Sequence, residues 1–189
     1  MPSLDETFRQ LVDLIKEPEA LNPAKSDPFF YFVHDPAETL LVKQKLDVWS
    51  ASLKNEGWAV ERISLAELLW KIVDQSGRWE EWLEIEGEAE PKEINDSLRD
   101  VLRAGNSLVE AVARHVQTPK QRTIVFVTET AALHPYFRSR ALESGLHDRI
   151  KVPTVIFYPG ARSGQYGLHF LGFYPVDGNY RSTLLGGQG

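Results

Sequence analysis

His34 and Asp35 stand together directly after an aromatic run, and Glu129 stands in Thr128-Glu129-Thr130 after a second apolar run. An imidazole beside a carboxylate can act as a general base with its orienting partner, or can supply two metal ligands. A further carboxylate can hold a metal or activate water. These three residues define one candidate chemistry, that of a metal-dependent hydrolase or nuclease. Each also has a plainer use, with Asp35 before Pro36 as a helix cap, His34 as a strand end and Glu129 as a solvated or capping residue. Adjacent residues point in different directions, and the other histidines are scattered at 115, 134, 147 and 169.

A second candidate is anion binding. Arg162 and Ser163 lie in a segment with three glycines, Gly160, Gly164 and Gly167, where backbone amides and a guanidinium can surround an anion; a plain turn would use the same glycines. Arg138 and Arg140 open a helix-length segment, a position where the helix dipole disfavours a cation, so each needs a negative partner, either a neighbouring acidic helix or a bound anion. Arg181, next to Tyr180 in a short apolar closing run, raises the same demand. Together Arg138, Arg162, Arg181 and Tyr180 are the candidate anion or partner contacts of a nucleotide or nucleic-acid sensor.

Several chemistries are excluded by what is missing. The first strand leads into His34-Asp35-Pro36 with neither glycine nor a Gly-Lys-Ser/Thr sequence, so a phosphate-cradling P-loop and a dinucleotide fingerprint both fail. Ser163 is one residue out of register for a nucleophile elbow. With no cysteine there is no disulfide, thiolate metal site or cysteine nucleophile. These residues weigh against an enzyme and imply no cofactor.

The elements that must position these residues follow from periodicity. Ser3 to Glu6 is a capping box opening an amphipathic helix through Phe8, Leu11, Val12 and Ile15. Phe29 to Val33 is apolar throughout, the pattern of a strand buried on both faces. Val42, Leu46, Trp49 and Leu53 recur at helical spacing, Trp58 to Ile63 reads as a strand, and Ser64 to Glu67 caps a further helix. This βαβα order predicts a parallel sheet. Thr123 to Val127 and Thr154 to Tyr158 are two more central strands, Leu168 to Tyr174 a strand nearer the edge, and Tyr180 to Leu185 a short closing strand. The expectation is a single mostly parallel Rossmann-like domain over residues 1–185, similar to a P-loop ATPase without its phosphate loop, with antiparallel pairing at the C-terminal edge and a flexible tail at 186–189.

Residues 77–105 break the rhythm as a helical acidic insertion. Between Glu80 and Asp96 eight acidic side chains are offset by Lys92 alone, and Trp79, Trp82, Leu83 and Ile85 lie at or within that stretch. Aromatic anchors inside a charged rim are the anatomy of an interface hot spot, whereas in the plain alternative they roof the core.

Composition bounds the rest. The 189 residues carry a formal charge of −6 and 42% hydrophobic side chains, enough for one packed domain. Residues 1–120 hold 14 basic and 23 acidic side chains, residues 121–189 hold 7 and 4, so the C-terminal third is the part that can face an anion. A sequence pI near 5.4 argues against direct DNA binding. No stretch has the roughly 18 apolar residues of a membrane span and no signal-peptide pattern opens the chain, which predicts a cytoplasmic protein without a membrane.

Val152 to Gly160, then Leu168 to Phe173 and Asp177-Gly-Asn-Tyr-Arg181, together with Phe29 to Pro36 and Pro135-Tyr-Phe-Arg138, give an order and spacing that resembles the BrxB family of bacteriophage-exclusion (BREX) defence systems. The likeness is clearest from Ile124 to Leu184. Where relatives often have a Gly-x-Gly turn after the third strand, this chain has Thr128-Glu-Thr-Ala131, which puts in doubt any glycine-dependent contact there. The resemblance implies a non-catalytic or catalytically unassigned role in an assembly, an adaptor acting through protein interfaces. Its implied partners are an alkaline-phosphatase-like protein (PglZ), a large ATPase (BrxC) and a DNA methyltransferase (PglX), and a homodimer is left open.

Overall fold

The structure is a computed structural model that describes residues 2–17 and 27–187. Its centre is β1 (Phe29–His34), six buried residues long. Alternation along the strand divides its side chains between two cores. Phe30 and Phe32 point to one face, beneath α1 (Leu4–Lys16) and α2 (Thr39–Asn55). Phe29, Tyr31 and Val33 point to the other, where α3 (Leu65–Gln75), α5 (Pro91–Arg103), α6 (Ser107–Val116) and α7 (Ser139–Leu146) pack.

With β2 (Ala59–Ser64), β3 (Thr123–Thr128), β4 (Thr154–Ser163) and β6 (Thr183–Gly186), β1 forms a parallel sheet in the order β2-β3-β4-β1-β6. The register runs Phe29 opposite Thr154 and Phe30 opposite Thr183. β5 (Gly167–Phe170) alone is antiparallel, pairing with the distal half of β4 from Gly160 to Ser163. The α/β class, the single compact domain and the mostly parallel sheet are as the sequence predicts. The closing strand differs in detail: it starts at Thr183, runs parallel to β1, and leaves Tyr180 and Arg181 in the loop before it. Gly186, expected in a flexible tail, ends β6, and Gly187 accepts a hydrogen bond from the Arg162 amide at 2.8 Å. The remaining tail residues, 188–189, lie outside the described residues.

The acidic stretch folds as α4 (Trp79–Ile85) and α5, the latter packed on α3 and α6. Edge strand β2 carries Glu61 and Arg62, charges that blunt its free edge against pairing with another chain.

α1 is fastened to α2 by chemistry as well as burial. Phe8 stacks on Trp49 with ring centroids 4.4 Å apart, and Asp5 accepts from the Lys45 ammonium at 2.7 Å and the Trp49 indole at 2.9 Å. Those two hydrogen bonds, Lys45 first, hold the Asp5 carboxyl below its ordinary value of 3.8. A depressed carboxyl stabilises the fold above its unfolded value, and that contribution is lost as pH falls through the lower folded value. Asp5→Asn is therefore expected to lower Tm at pH 7, with the gap to the unaltered chain narrowing progressively below about pH 4. Thermal melts of both proteins from pH 7 to pH 2.5 check this; a gap independent of pH would show that the carboxylate charge contributes nothing.

Candidate functional site

β1 and β4 are neighbours, yet the chain leaves β1 toward the α2 face and leaves β4 toward the opposite one. Such a switch point opens a crevice at the carboxyl ends of the strands, the usual ligand position in open α/β sheets. Here it is a cavity of about 400 Å³ lined by His34, Lys43, Arg62, Glu129, Thr130 and Pro159, among others.

The candidate acid–base residues are occupied within the chain. His34 is 3% exposed, donates from Nδ1 to the Asp35 carbonyl at 2.9 Å, and burial pushes its pKa down, so the ring is neutral near pH 7. Asp35 caps the short turn Pro36–Glu38 by accepting from the Ala37 amide at 2.8 Å. Glu129 accepts from the Ser64 hydroxyl and, at 3.0 Å, from the Lys43 ammonium, contacts that lower its pKa. Ser64 is meanwhile the N-cap of α3. His34 and Glu129 thus share a cavity, but Glu129 is committed to structural contacts and Asp35 is a cap. Among the described residues, the one group of three His, Asp or Glu side chains with ligand atoms within 4.8 Å of one another is Asp27, His147 and Asp148, away from these residues. That group is internally hydrogen-bonded, the Asp148 amide to Asp27 at 3.0 Å and His147 to the Asp148 carboxylate at 2.9 Å.

The four anion candidates fall in three places. Arg162 lies near the end of β4 with its Nε buried and unpartnered among the described residues. Arg181 is exposed in the loop before β6, its amide donating to Glu143 at 3.1 Å, so the expected apolar strand around its side chain does not exist. Arg138 and Tyr180 share one site. They line a cavity of about 450 Å³ bounded by α5, the segment Pro135–Ser139 and the turn Tyr174–Tyr180. The Tyr180 hydroxyl lies 3.2 Å from that of Ser139, and Arg99 fixes the wall by donating twice to the Pro135 carbonyl, at 3.1 and 3.2 Å. Sequence reasoning missed Arg99, Arg103, Ser139 and Tyr158 here. Tyr158 carries no signal of its own, because a tyrosine in an apolar strand reads as core.

The acidic surface divides as well. Trp82 is buried and donates its indole N–H to Ser97 at 2.8 Å, so it roofs the core rather than anchoring an interface. Trp79, Leu83 and Ile85 are exposed, and Trp70 on α3 joins them, its ring 6.2 Å from that of Trp79. Trp79 and Leu83, four residues apart on α4, share a face. Trp70 had a readable signal: it sits off the buried stripe Leu65, Leu69, Val73 of its own helix. Carboxylates Glu80, Glu81, Glu84 and Glu86 lie along the same short helix and its end, and of these Glu81 is paired, with Arg78.

No curated protein and no solved structure matches the chain. The family model described as BREX protein BrxB matches residues 61–185. This span runs from β2 to β6 and so holds the β4 wall of both cavities, the β3 wall of the first, the acidic helices and the Tyr174–Tyr180 turn; it begins well before Ile124, where the sequence resemblance is clearest. By that match the chain belongs to the BrxB family of BREX phage-defence proteins.

Proposed function

We propose that this chain is a non-catalytic assembly subunit of a BREX defence system, and that it holds a partner through the Trp70, Trp79 and Leu83 face. The observation that carries this reading is that face: two tryptophans and a leucine, each about half exposed, beside a helix rich in carboxylates. Exposed tryptophans in a charged rim are the residues that dominate binding energy in protein interfaces. The rim asks for a partner patch with an apolar centre and surrounding Lys or Arg. Other BREX proteins are the partners, PglZ and BrxC before PglX. The closed acid–base residues at the sheet edge support the absence of chemistry: His34 is neutral and buried, and Glu129 is engaged by Ser64 and Lys43.

Trp79→Ala and Leu83→Ala are each expected to weaken co-purification with the bound partner about tenfold or more while leaving Tm within a few degrees. Trp82→Ala does the reverse, lowering stability by about 3 kcal/mol through a cavity in the core. Quantitative pull-down beside thermal melts separates the two classes, and binding should weaken between 50 and 300 mM salt because the rim is charged. Full binding by a folded Trp79→Ala, Leu83→Ala double variant would sink the assignment of this face.

The purified chain is expected not to turn over ATP, since β1 leads into a capped turn with no glycine loop or lysine. A phosphate-release assay decides it. Turnover above a mock preparation, lost in Asp35→Ala or Glu129→Ala, would establish the enzyme reading in place of the adaptor.

A further inference from the structure

The cavity between α5, the Pro135–Ser139 segment and the Tyr174–Tyr180 turn is built from groups that the chain itself leaves unmatched. α7 begins there without a capping side chain, and the amides of Ser139 and Arg140 find no acceptor among the described residues. Arg138, its N-cap residue, is exposed, and among the described residues its guanidinium meets only the face of Tyr174, 5.7 Å away, with no carboxylate. A cation at the positive end of a helix is disfavoured, and a cation–π contact made by an exposed arginine is worth only about 0.5–1 kcal/mol. An anion seated at the start of α7 would satisfy the free amides and neutralise the arginine together.

A second and independent feature opens on the same space. Tyr158, on the adjoining strand β4, lines this cavity and is fully buried; its hydroxyl makes no hydrogen bond of ordinary geometry among the described residues, with the Ser139 and Tyr180 hydroxyls as its polar neighbours. A buried hydroxyl left unpaired is destabilising, and phenylalanine would fill the same volume without that penalty. The tyrosine has a use if a ligand atom reaches it.

The size and the other walls define the ligand. About 450 Å³ is several times what an inorganic anion needs and suits a small organic molecule. Tyr158, Phe170 and Tyr174 form one aromatic wall, with successive ring centroids 5.2 and 5.7 Å apart. Of the lining carboxylates, Asp96 is paired with Arg99 and Asp177 with Arg140, which leaves Asp100 as an acceptor and Arg103 as a further cation. We propose that this cavity binds a mononucleotide, its phosphate at the start of α7 against Arg138 and its ring along the Phe170–Tyr174 wall. The site is separate from the Trp79 face, and its test involves no partner protein.

The experiment is thermal shift and calorimetric titration of the full chain with AMP and UMP, with adenosine and inorganic phosphate as controls. At a hundredfold excess over Kd a nucleotide should raise Tm by about 5 °C or more, while adenosine and phosphate each give less than half of that shift. Arg138→Gln should weaken nucleotide binding about tenfold or more without lowering the melting temperature of the free protein. Tyr158→Phe should melt higher than the unaltered chain when free and bind nucleotide about fivefold more weakly, a combination that a misfolded variant cannot give. Absence of any shift with either nucleotide overturns the proposal, as does binding that survives in both variants. Inorganic phosphate alone reproducing the full shift overturns the nucleotide assignment.

Discussion

A strand that is apolar on both of its faces cannot lie at a surface, and before His34 the Tyr31 hydroxyl is the one polar side-chain group of β1. It is therefore driven to the inside of the sheet, where β4 and β6 satisfy its backbone on either side and a helical layer covers each face. Five side chains, Phe29 to Val33, thereby tie two cores together through one backbone. Phe32 packs against Trp49 and Phe157 at 5.3 Å on one side, and Tyr31 against Tyr158 and Tyr180 at 5.6 and 5.1 Å on the other. The wall of the Arg138 cavity is thus continuous with the most buried part of the molecule. A group bound there would press on rings already fixed by the sheet, and need not wait for a loop to order.

Much of this was legible from period and punctuation. The aromatic run gave a central strand because nothing else accommodates it, Ser3 and Ser64 marked the starts of α1 and α3, and Asp35 proved the cap that its place before Pro36 suggested. What escaped was tertiary. Trp82 and Trp79 are three residues apart in the same acidic helix, and only the packing of α4 makes one core and the other surface. A closing strand starting at Tyr180 would make Arg181 costly; Tyr180 instead enters the core from a loop, and pairing begins at Thr183. The Arg138 cavity draws on α5, the Pro135–Ser139 segment, β4 and the Tyr174–Tyr180 turn, and no local pattern relates residues so far apart in the chain.

The sheet's carboxyl edge retains the geometry of a ligand crevice while its polar groups bind one another. Lys43 and Arg62 reach it from α2 and β2, and Glu129 meets Lys43 there. The pair is partly exposed, so its contribution to stability is small. Its effect is on access: charges engaged with each other are not available to a phosphate or a metal. What such a crevice does is decided by the residues that line it and not by the fold.

Glu129 occupies a left-handed backbone conformation, φ 58°, that a residue with a side chain enters only at a cost of about 1–2 kcal/mol. Glycine would meet that backbone demand freely. The two solutions differ in what they leave behind. With glycine, the turn relaxes and both the Ser64 hydroxyl and the Lys43 ammonium lose their shared acceptor, so the crevice gains a cation and an unoccupied donor. With glutamate, backbone strain is offset by a carboxylate that bolts β2, α2 and the end of β3 together. The residue at this one position therefore sets whether this edge behaves as a latch or as a mouth.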